Sequence, residues 1–300
     1  MLYYRRKLLL SLFEVFGGEL TSNMLQKYLF IATRSIKTKS FDFVPLKSGC
    51  FSFQADRDLS SLKTLGYLYQ SEIENYCTYK LKEGISMLME LDIFDRQILI
   101  SLRTNFGNLS EDELTRYSYK NYPFFAINST NAKDLLSEDE YQNISNQKVR
   151  LQKSETALYT IGYEGLSLES YLTQLILKDV RVLCDVRKNA YSRKFGFSKA
   201  VLKKACYDVG IKYVHIPELG IDSEQRQDLK NQEDYINLFN IYEITALKVN
   251  WSYLNIILDY IKSEKRVALT CFEKNHLMCH RSRVAKAVIS ISENIPLKNI

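Results

Sequence analysis

The second half of the chain alternates short apolar runs with longer segments of helical periodicity. The apolar runs are "ALYTIGY", "VRVLCDVR", "IKYVHIPEL" and "RVALTCF", and segments such as "SLESYLTQLILKD" and "SKAVLKKACYDVG" lie between them. Strands that are apolar along nearly their whole length, and are separated by helices, are typical of parallel sheets. We therefore predict an α/β domain over residues 155–300, with a Rossmann-like parallel sheet covered by helices on both faces.

Polar and glycine-containing segments follow each predicted strand. They read "GYEG" (162–165), "DVRKN" (185–189), "HIPELG" (215–220) and "CFEKNHLMCHR" (271–281). Ligands of open α/β sheets bind at the carboxyl ends of the strands. The four segments are therefore expected to meet in one crevice and to form a functional site.

The last of these segments is unusually rich in reactive side chains. The chain has only three histidines and six cysteines, and two of each lie between residues 271 and 280. Arg281 is predicted at the start of the final helix, where unpaired amides and the helix dipole favour an anion. The same field would lower the pKa of a nearby thiol. An anion site is expected here, and a reactive thiol is compatible with it.

Carboxylates and guanidinium groups at the strand ends suggest acid or base catalysis on a phosphorylated substrate. The candidate catalytic residues are Glu164, Asp185, Cys271 and Glu273. The candidate residues for binding substrate or phosphate are Tyr163, Arg187, Arg193, Lys194, Glu218, Cys279, His280 and Arg281.

Three other interpretations of these residues stay open. Asp185 and Glu273 can simply neutralise Arg187 and Arg281. Sulfur or phosphate transfer by Cys271 is disfavoured because nine residues separate it from Arg281, too many for a tight anion loop. Zinc bound by Cys271, His276, Cys279 and His280 is disfavoured by the basic surroundings, and because the adjacent Cys279 and His280 are expected to point in different directions. We expect no metal and no cofactor.

A basic run between residues 187 and 204 carries most of the excess charge of the second half. It contains seven lysines and arginines and no acidic residue, and Tyr191, Phe195 and Phe197 are interleaved with them. Such a run is either a solvated face or a surface that follows phosphates and stacks bases.

The first half predicts a different domain, over residues 1–140. Helices at 5–16 and 21–35 precede extended pieces around Pro45 and Gly49, a helix at 53–66 and a hairpin at 67–81. This order is that of a winged helix-turn-helix with a helical extension, although a small helical interaction domain would show it too. Lys27, Lys37, Lys39 and Lys47 are expected to meet phosphates. The polar segment 137–155 is predicted to link the domains.

The motifs of both halves resemble known families. "TIGYEG", "CDVR", "SRKFGFSK", "HIPELG" and "CFEKNHLMCHRSRVA", in this order, resemble the domain of unknown function family 488 over residues 157–290. This resemblance implies the α/β architecture and the positions of the site, and it leaves the activity open. "GGELTSNMLQKYLFI" and the following loop resemble the winged-helix region of antitoxin-like, defence-associated bacterial proteins, which implies binding of DNA or of a protein partner.

Together these features predict a cytoplasmic protein directed at nucleic acid. No run approaches the roughly 20 apolar residues that span a bilayer, and the opening segment lacks a signal cleavage site. The leading hypothesis is an enzyme that hydrolyses or transfers an N-glycosidic or phosphodiester bond of DNA, RNA or a nucleotide, with DNA favoured. A homodimer is compatible with the sequence. The rival is a winged-helix regulator whose α/β domain senses a phosphorylated ligand without catalysis.

Overall fold

The computed structural model describes residues 2–73, 76–226, 229, 231–292 and 294–300. The chain divides into two compact units, Met1–Val149 and Arg150–Ile300. Each unit is described by itself below.

The first unit begins with helices and short strands and ends with helices only. Its helices are α1 Tyr4–Val15, α2 Ser22–Ala32, α3 Phe53–Thr64, α4 Ile93–Phe106, α5 Glu111–Asn121, α6 Ala132–Leu135 and α7 Glu138–Leu151, and its strands are β1 Glu19–Thr21, β2 Val44–Leu46, β3 Gly49–Phe51, β4 Leu68–Ile73 and β5 Tyr76–Leu81. The last helix, α7, extends two residues beyond the unit boundary. It occupies most of the segment that was predicted to be a linker.

Side-chain caps fix where several of these helices begin. The hydroxyl of Thr21 accepts from the Met24 amide at the start of α2, and that of Ser52 accepts from the Ala55 amide at the start of α3. Ser110 and Glu113 form the reciprocal capping box that their spacing predicts. Local polar residues therefore set the helix boundaries, as the sequence indicates.

Two antiparallel sheets lie among these helices. In the described part of the chain, one sheet has the order β1-β5-β4, and the other consists of β2 and β3. Residues 74 and 75, at the tip of the predicted hairpin, lie outside the described residues. The prediction that Lys27 reaches phosphates is wrong, because its amine is buried and donates to Asn23 and to the Ser48 carbonyl. Burial also lowers the pKa of this amine.

The second unit alternates strands and helices. Its strands are β6 Ala157–Gly162, β7 Val182–Asp185, β8 Lys212–His215, β9 Arg266–Cys271 and β10 Leu297–Asn299, and its helices are α8 Leu168–Leu177, α9 Lys199–Asp208, α10 Gln232–Tyr242, α11 Leu254–Glu264 and α12 Arg281–Ile291. Between α10 and α11 the chain forms a π-helical turn, Glu243–Leu247, and a 3₁₀ turn, Trp251–Tyr253.

All pairings in the sheet of this unit are parallel, and the strand order in the described residues is β10-β6-β9-β7-β8. On β9, Val267 and Leu269 point into the core that α11 and α12 cover. Thr270, on the opposite face, accepts a hydrogen bond from Tyr171 of α8. Helices therefore flank both faces, and the predicted α/β architecture of the second half is confirmed. Strand β10 was not predicted, because it is only three residues long and two of them, Lys298 and Asn299, are polar.

In the described part of the chain, no helix combines the length and the apolar character needed to cross a bilayer.

A buried carboxylate ties the first helix of unit one to α3. Asp58 accepts from the Nε atoms of Arg5 at 2.5 Å and Arg6 at 2.7 Å, and from the Gln54 amide at 3.0 Å. We expect Asp58→Ala to lower the free energy of unfolding by about 2–3 kcal/mol, because the arginines lose their partner and a buried void opens. Urea denaturation would measure this. Asp112→Ala, at an exposed site, is the control, and equal effects would contradict the prediction.

Candidate active site

The carboxyl ends of four strands are aligned at one edge of the sheet. Gly162 of β6 pairs with Cys271 of β9, and Asp185 of β7 pairs with Thr270 of β9 and with His215 of β8. The segments that follow these strands therefore start side by side. This alignment follows from the parallel register and not from any single motif.

A pocket of about 280 Å³ lies at this edge. It is lined by Tyr163, Arg187, Lys188, Asn189, Tyr191, Ser192, Arg193, Ile221, Cys271, Phe272 and His280. Five of the predicted site residues therefore line this pocket: Tyr163, Arg187, Arg193, Cys271 and His280. The volume is close to the lower end of the range of about 300–1,000 Å³ for small-molecule sites.

Asp185 and Arg187 form a buried ion pair beneath the pocket. The Arg187 Nε and Nη2 atoms donate to the two carboxylate oxygens of Asp185, at 2.8 and 2.5 Å. Their side chains are 0% and 6% exposed. The Tyr213 hydroxyl donates to the same carboxylate at 2.6 Å. Asp185 therefore neutralises Arg187 in this structure, and its oxygens are occupied by protein donors.

The remaining donors of Arg187 bind the walls of the pocket. Its Nη1 atom donates to the Tyr163 hydroxyl at 2.8 Å and to the Phe197 carbonyl at 2.9 Å. Burial alone lowers the pKa of Arg187, but the hydrogen bonds and charge of Asp185 outweigh this, and the pKa is raised overall. The ring of Tyr163 stacks on Phe197 with 4.3 Å between centroids. Arg187 is therefore a fixed cation that positions Tyr163.

Two thiols and an imidazole lie close together at the pocket. The Sγ atoms of Cys271 and Cys279 and a ring nitrogen of His280 all lie within 4.8 Å of one another, and all three residues are buried. The expectation that Cys279 and His280 point apart is wrong. Cys279 has extended backbone angles (φ −138°, ψ 133°), whereas His280 is already helical, so the two side chains are not separated by a helical rotation.

The tautomer of His280 follows from its contacts. Nε2 lies 2.9 Å from the Val186 carbonyl, which only accepts, so Nε2 carries the proton. Nδ1 faces the Cys271 Sγ at 3.7 Å, and in the tautomer protonated at Nε2 it is the acceptor nitrogen. Burial raises the pKa of Cys279 well above its usual value, and its hydrogen bond to Cys271 raises it further. Without a further cation, Cys279 is therefore a neutral thiol.

The loop after β9 is fastened by Arg281 and Glu164. Arg281 is buried, and its guanidinium donates to the carbonyls of Glu273 at 2.5 Å and Lys274 at 3.2 Å. Its Nε atom has no hydrogen-bond partner among the described residues. The exposed Glu164 accepts from the Lys274 amide at 2.9 Å. In this structure, Arg281 and Glu164 bind backbone groups of the loop after β9, and neither lines the pocket.

Glycine is required where this loop meets β6. A Cβ atom on Gly162 would overlap the carbonyl oxygen of Glu273 and lie 3.1 Å from the Arg281 guanidinium. The Glu273 side chain is half-buried, and its carboxylate lies 3.5 Å from the Cys271 Sγ. Among the predicted catalytic carboxylates, Glu273 is the one beside a thiol, although it does not itself line the pocket.

The other predicted ligands are dispersed. Arg193 is exposed at the pocket, and no ion pair joins it to a described residue. Lys194 donates to the Tyr163 carbonyl at 3.0 Å, and burial lowers its pKa. Glu218 lies in the turn Pro217–Leu219 and does not line the pocket. His276 lies outside the cluster of thiols and imidazole.

Sequence reasoning did not single out four of the residues that line the pocket, Asn189, Ser192, Ile221 and Phe272. Phe272 lies one position beyond Cys271, which was named. An aromatic ring directly after a buried strand was the available signal, because the side chain that follows a strand end reaches the same edge of the sheet.

Comparison with protein families finds a match in the second half of the chain. The family model of the domain of unknown function DUF488 matches residues 167–288. The match covers α8 through most of α12, including β7, β8, β9 and the thiol cluster. The resemblance to this family is thus shown for the C-terminal half. No curated protein matches the chain.

The buried pair makes a clear prediction for stability. Arg187→Met is expected to lower the free energy of unfolding by about 3–5 kcal/mol, because Asp185 is left as a buried charge without a cation. The double variant Asp185→Asn with Arg187→Met should recover much of this loss. Urea denaturation of the four members of this cycle provides the measurement. A double variant less stable than Arg187→Met would show that the charge on Asp185 is not what destabilises the single variant.

Proposed function

We propose that the second unit is an enzymatic domain that acts on a nucleotide within a nucleic acid, by hydrolysis or transfer at an N-glycosidic or phosphodiester bond. One observation supports this most directly. The pocket at the strand ends places the thiol of Cys271 and the imidazole of His280 beside aromatic rings and the exposed guanidinium of Arg193. A binding surface and reactive groups are thus present in one hollow.

The lining is suited to a base and a phosphate. Tyr191 and Phe272 are aromatic and lie 71% and 42% exposed at the pocket. Base stacking on such rings contributes about 1–3 kcal/mol per base and tolerates any base. Arg193 and Lys188 are exposed at the same pocket and are suited to phosphate oxygens.

A second depression of about 390 Å³ adjoins the pocket and favours a polymer over a free nucleotide. It shares Lys188, Asn189 and Tyr191 with the pocket, and Lys199 and His215 also line it. A strand that places one nucleotide in the pocket can therefore place its neighbour in the second depression. Single-stranded substrate, or a nucleotide flipped out of a duplex, suits this geometry.

Glu273 and Cys271 are the proposed reactive groups. Glu273 is half-buried beside Cys271, and a carboxylate in such a setting can act as general acid or base. Asp185 and Glu164 are proposed to support the site, since the first is paired with Arg187 and the second accepts from the Lys274 amide.

The first unit is proposed to be a winged helix that delivers DNA. Its element order, with β1 pairing beside the β4–β5 hairpin, supports this. In such a domain α3 would be the recognition helix, and Arg57 and Lys63 lie exposed on it. Six free cysteines are consistent with action in a reducing cytoplasm. The resemblance to antitoxin-like proteins makes bacterial defence the proposed setting.

Binding can be tested by anisotropy titrations with short fluorescent single-stranded DNA, duplex DNA and RNA, all at the same salt concentration. We expect Arg193→Ala to weaken binding about 5- to 10-fold and Tyr191→Ala about 10-fold, because a phosphate contact and a stacked base are lost. Lys203→Ala is the control, since this lysine belongs to the same basic run and is exposed on α9 but lines neither depression. If the pocket variants bind as the control does, the pocket does not receive nucleic acid.

Turnover is tested separately, by mass spectrometry of oligonucleotides incubated with the full chain. Glu273→Gln and Cys271→Ser should each reduce product formation by about 100-fold or more while binding is retained. Cys206→Ser, a buried thiol outside the pocket, is the matched control. Retained binding without products from any variant, wild type included, would instead identify a regulator that senses a phosphorylated ligand.

A further inference from the structure

The cluster of Cys271, Cys279 and His280 has the atom types and spacing of a transition-metal site. Its three ligand atoms lie within 4.8 Å of one another, and the Cys271 Sγ is 3.7 Å from Nδ1 of His280. Ligands at ordinary Zn–S and Zn–N bond lengths around one tetrahedral ion lie about 3.5–3.8 Å apart. Only small side-chain shifts are therefore needed to bring all three atoms onto one ion.

The contacts around His280 match those of a metal-binding imidazole. Metal-bound histidines commonly donate their second ring N–H to a backbone carbonyl or a carboxylate, which fixes the tautomer and the ring orientation. Nε2 of His280 donates to the Val186 carbonyl at 2.9 Å, so Nδ1 is left as a lone-pair donor directed at the thiols. The ring is thus already held in the orientation that a metal requires.

The basic surroundings do not prevent this binding. Two thiolates and one neutral imidazole around Zn²⁺ form a site with no net charge. Of the two buried arginines of this site, Arg187 is neutralised by Asp185, and Arg281 donates to the carbonyl oxygens of Glu273 and Lys274. Cysteines bind a metal as thiolates, and two thiolates offset the charge of the zinc ion. The basic residues around the cluster therefore do not exclude a metal.

We propose that Cys271, Cys279 and His280 bind one zinc ion, and that its fourth coordination position opens into the pocket. Cys271 and His280 both line the pocket, so the open position faces the space that a substrate would occupy. Glu273 lies 3.5 Å from the Cys271 Sγ and is placed either to approach the metal or to bind its water. Three protein ligands and an open position are typical of catalytic zinc.

Resting on the proposed function, the metal also specifies a reaction class, hydrolysis. A metal held by these three residues would supply an activated water, whose oxygen would add to an electrophilic carbon or phosphorus of the nucleotide. Glu273 would take the proton of that water and pass it to the leaving group as the bond to that group breaks. Water is the only co-reactant consumed. In this scheme Cys271 is a metal ligand, and its loss abolishes turnover because the metal is lost.

Metal binding is measured on the full chain without any nucleic acid. Protein purified without chelator, with thiols kept reduced by a phosphine, should contain about one zinc per chain by plasma mass spectrometry. The metal-free protein should bind Co²⁺ and show the visible thiolate-to-cobalt absorption of tetrahedral sulfur ligation. Cys279→Ser and His280→Ala should weaken this binding by at least about 10- to 100-fold.

Cys184→Ser is the matched control, because this buried thiol lies on the adjacent strand β7 and outside the cluster. It should retain the zinc and the cobalt spectrum. Absence of both from folded wild-type protein would overturn the proposal, whatever the variants do. Equal loss in the control would also overturn it. Nucleic-acid binding by the metal-free protein is a separate measurement, so failure of the metal site and failure of the proposed function give different results.

Discussion

The buried ion pair between Asp185 and Arg187 holds the candidate site together. Asp185 ends β7, and its carboxylate also accepts from Tyr213 of β8. Arg187 reaches Tyr163 after β6 and the Phe197 carbonyl in the basic loop. One charge pair thus joins β7, β8 and the segment after β6 to the loop that carries the exposed cations. Because both charges are buried, neither can be removed alone without leaving the other uncompensated.

Arg281 holds the loop after β9 in place, as Arg187 holds the segments after β6 and β7. It is fully buried, and it binds the carbonyls of Glu273 and Lys274 rather than a carboxylate. A guanidinium has five donors in a rigid fork, and here two of its nitrogens hold a loop in a fixed curve. Gly162 allows this curve, because any side chain there would occupy the space of the Glu273 carbonyl. The position of Glu273 beside Cys271 is a consequence of this packing.

Much of the second unit could be predicted from the sequence, because continuous apolar runs and parallel register leave few choices. That the residues after Gly162, Asp185 and Cys271 meet at one edge follows from topology alone. Which of them face a ligand does not follow, because it depends on tertiary hydrogen bonds. Arg187 and Arg193 look equivalent in the sequence, yet one is paired inside the protein and the other is exposed. In the same way, Lys27 looks like a surface lysine until its helix is packed.

The directions of the Cys279 and His280 side chains could not be predicted from the sequence. Adjacent side chains on a helix diverge by about 100° of rotation, and that rule predicted that these two would point apart. The rule does not apply because α12 begins at Arg281, as predicted, and Cys279 before it keeps extended backbone angles. The conformation of a residue just outside a helix is not set by the periodic pattern, and here it decides whether three ligand atoms meet. The chemistry of this pocket therefore depends on the backbone at a single position, which only the folded chain reveals.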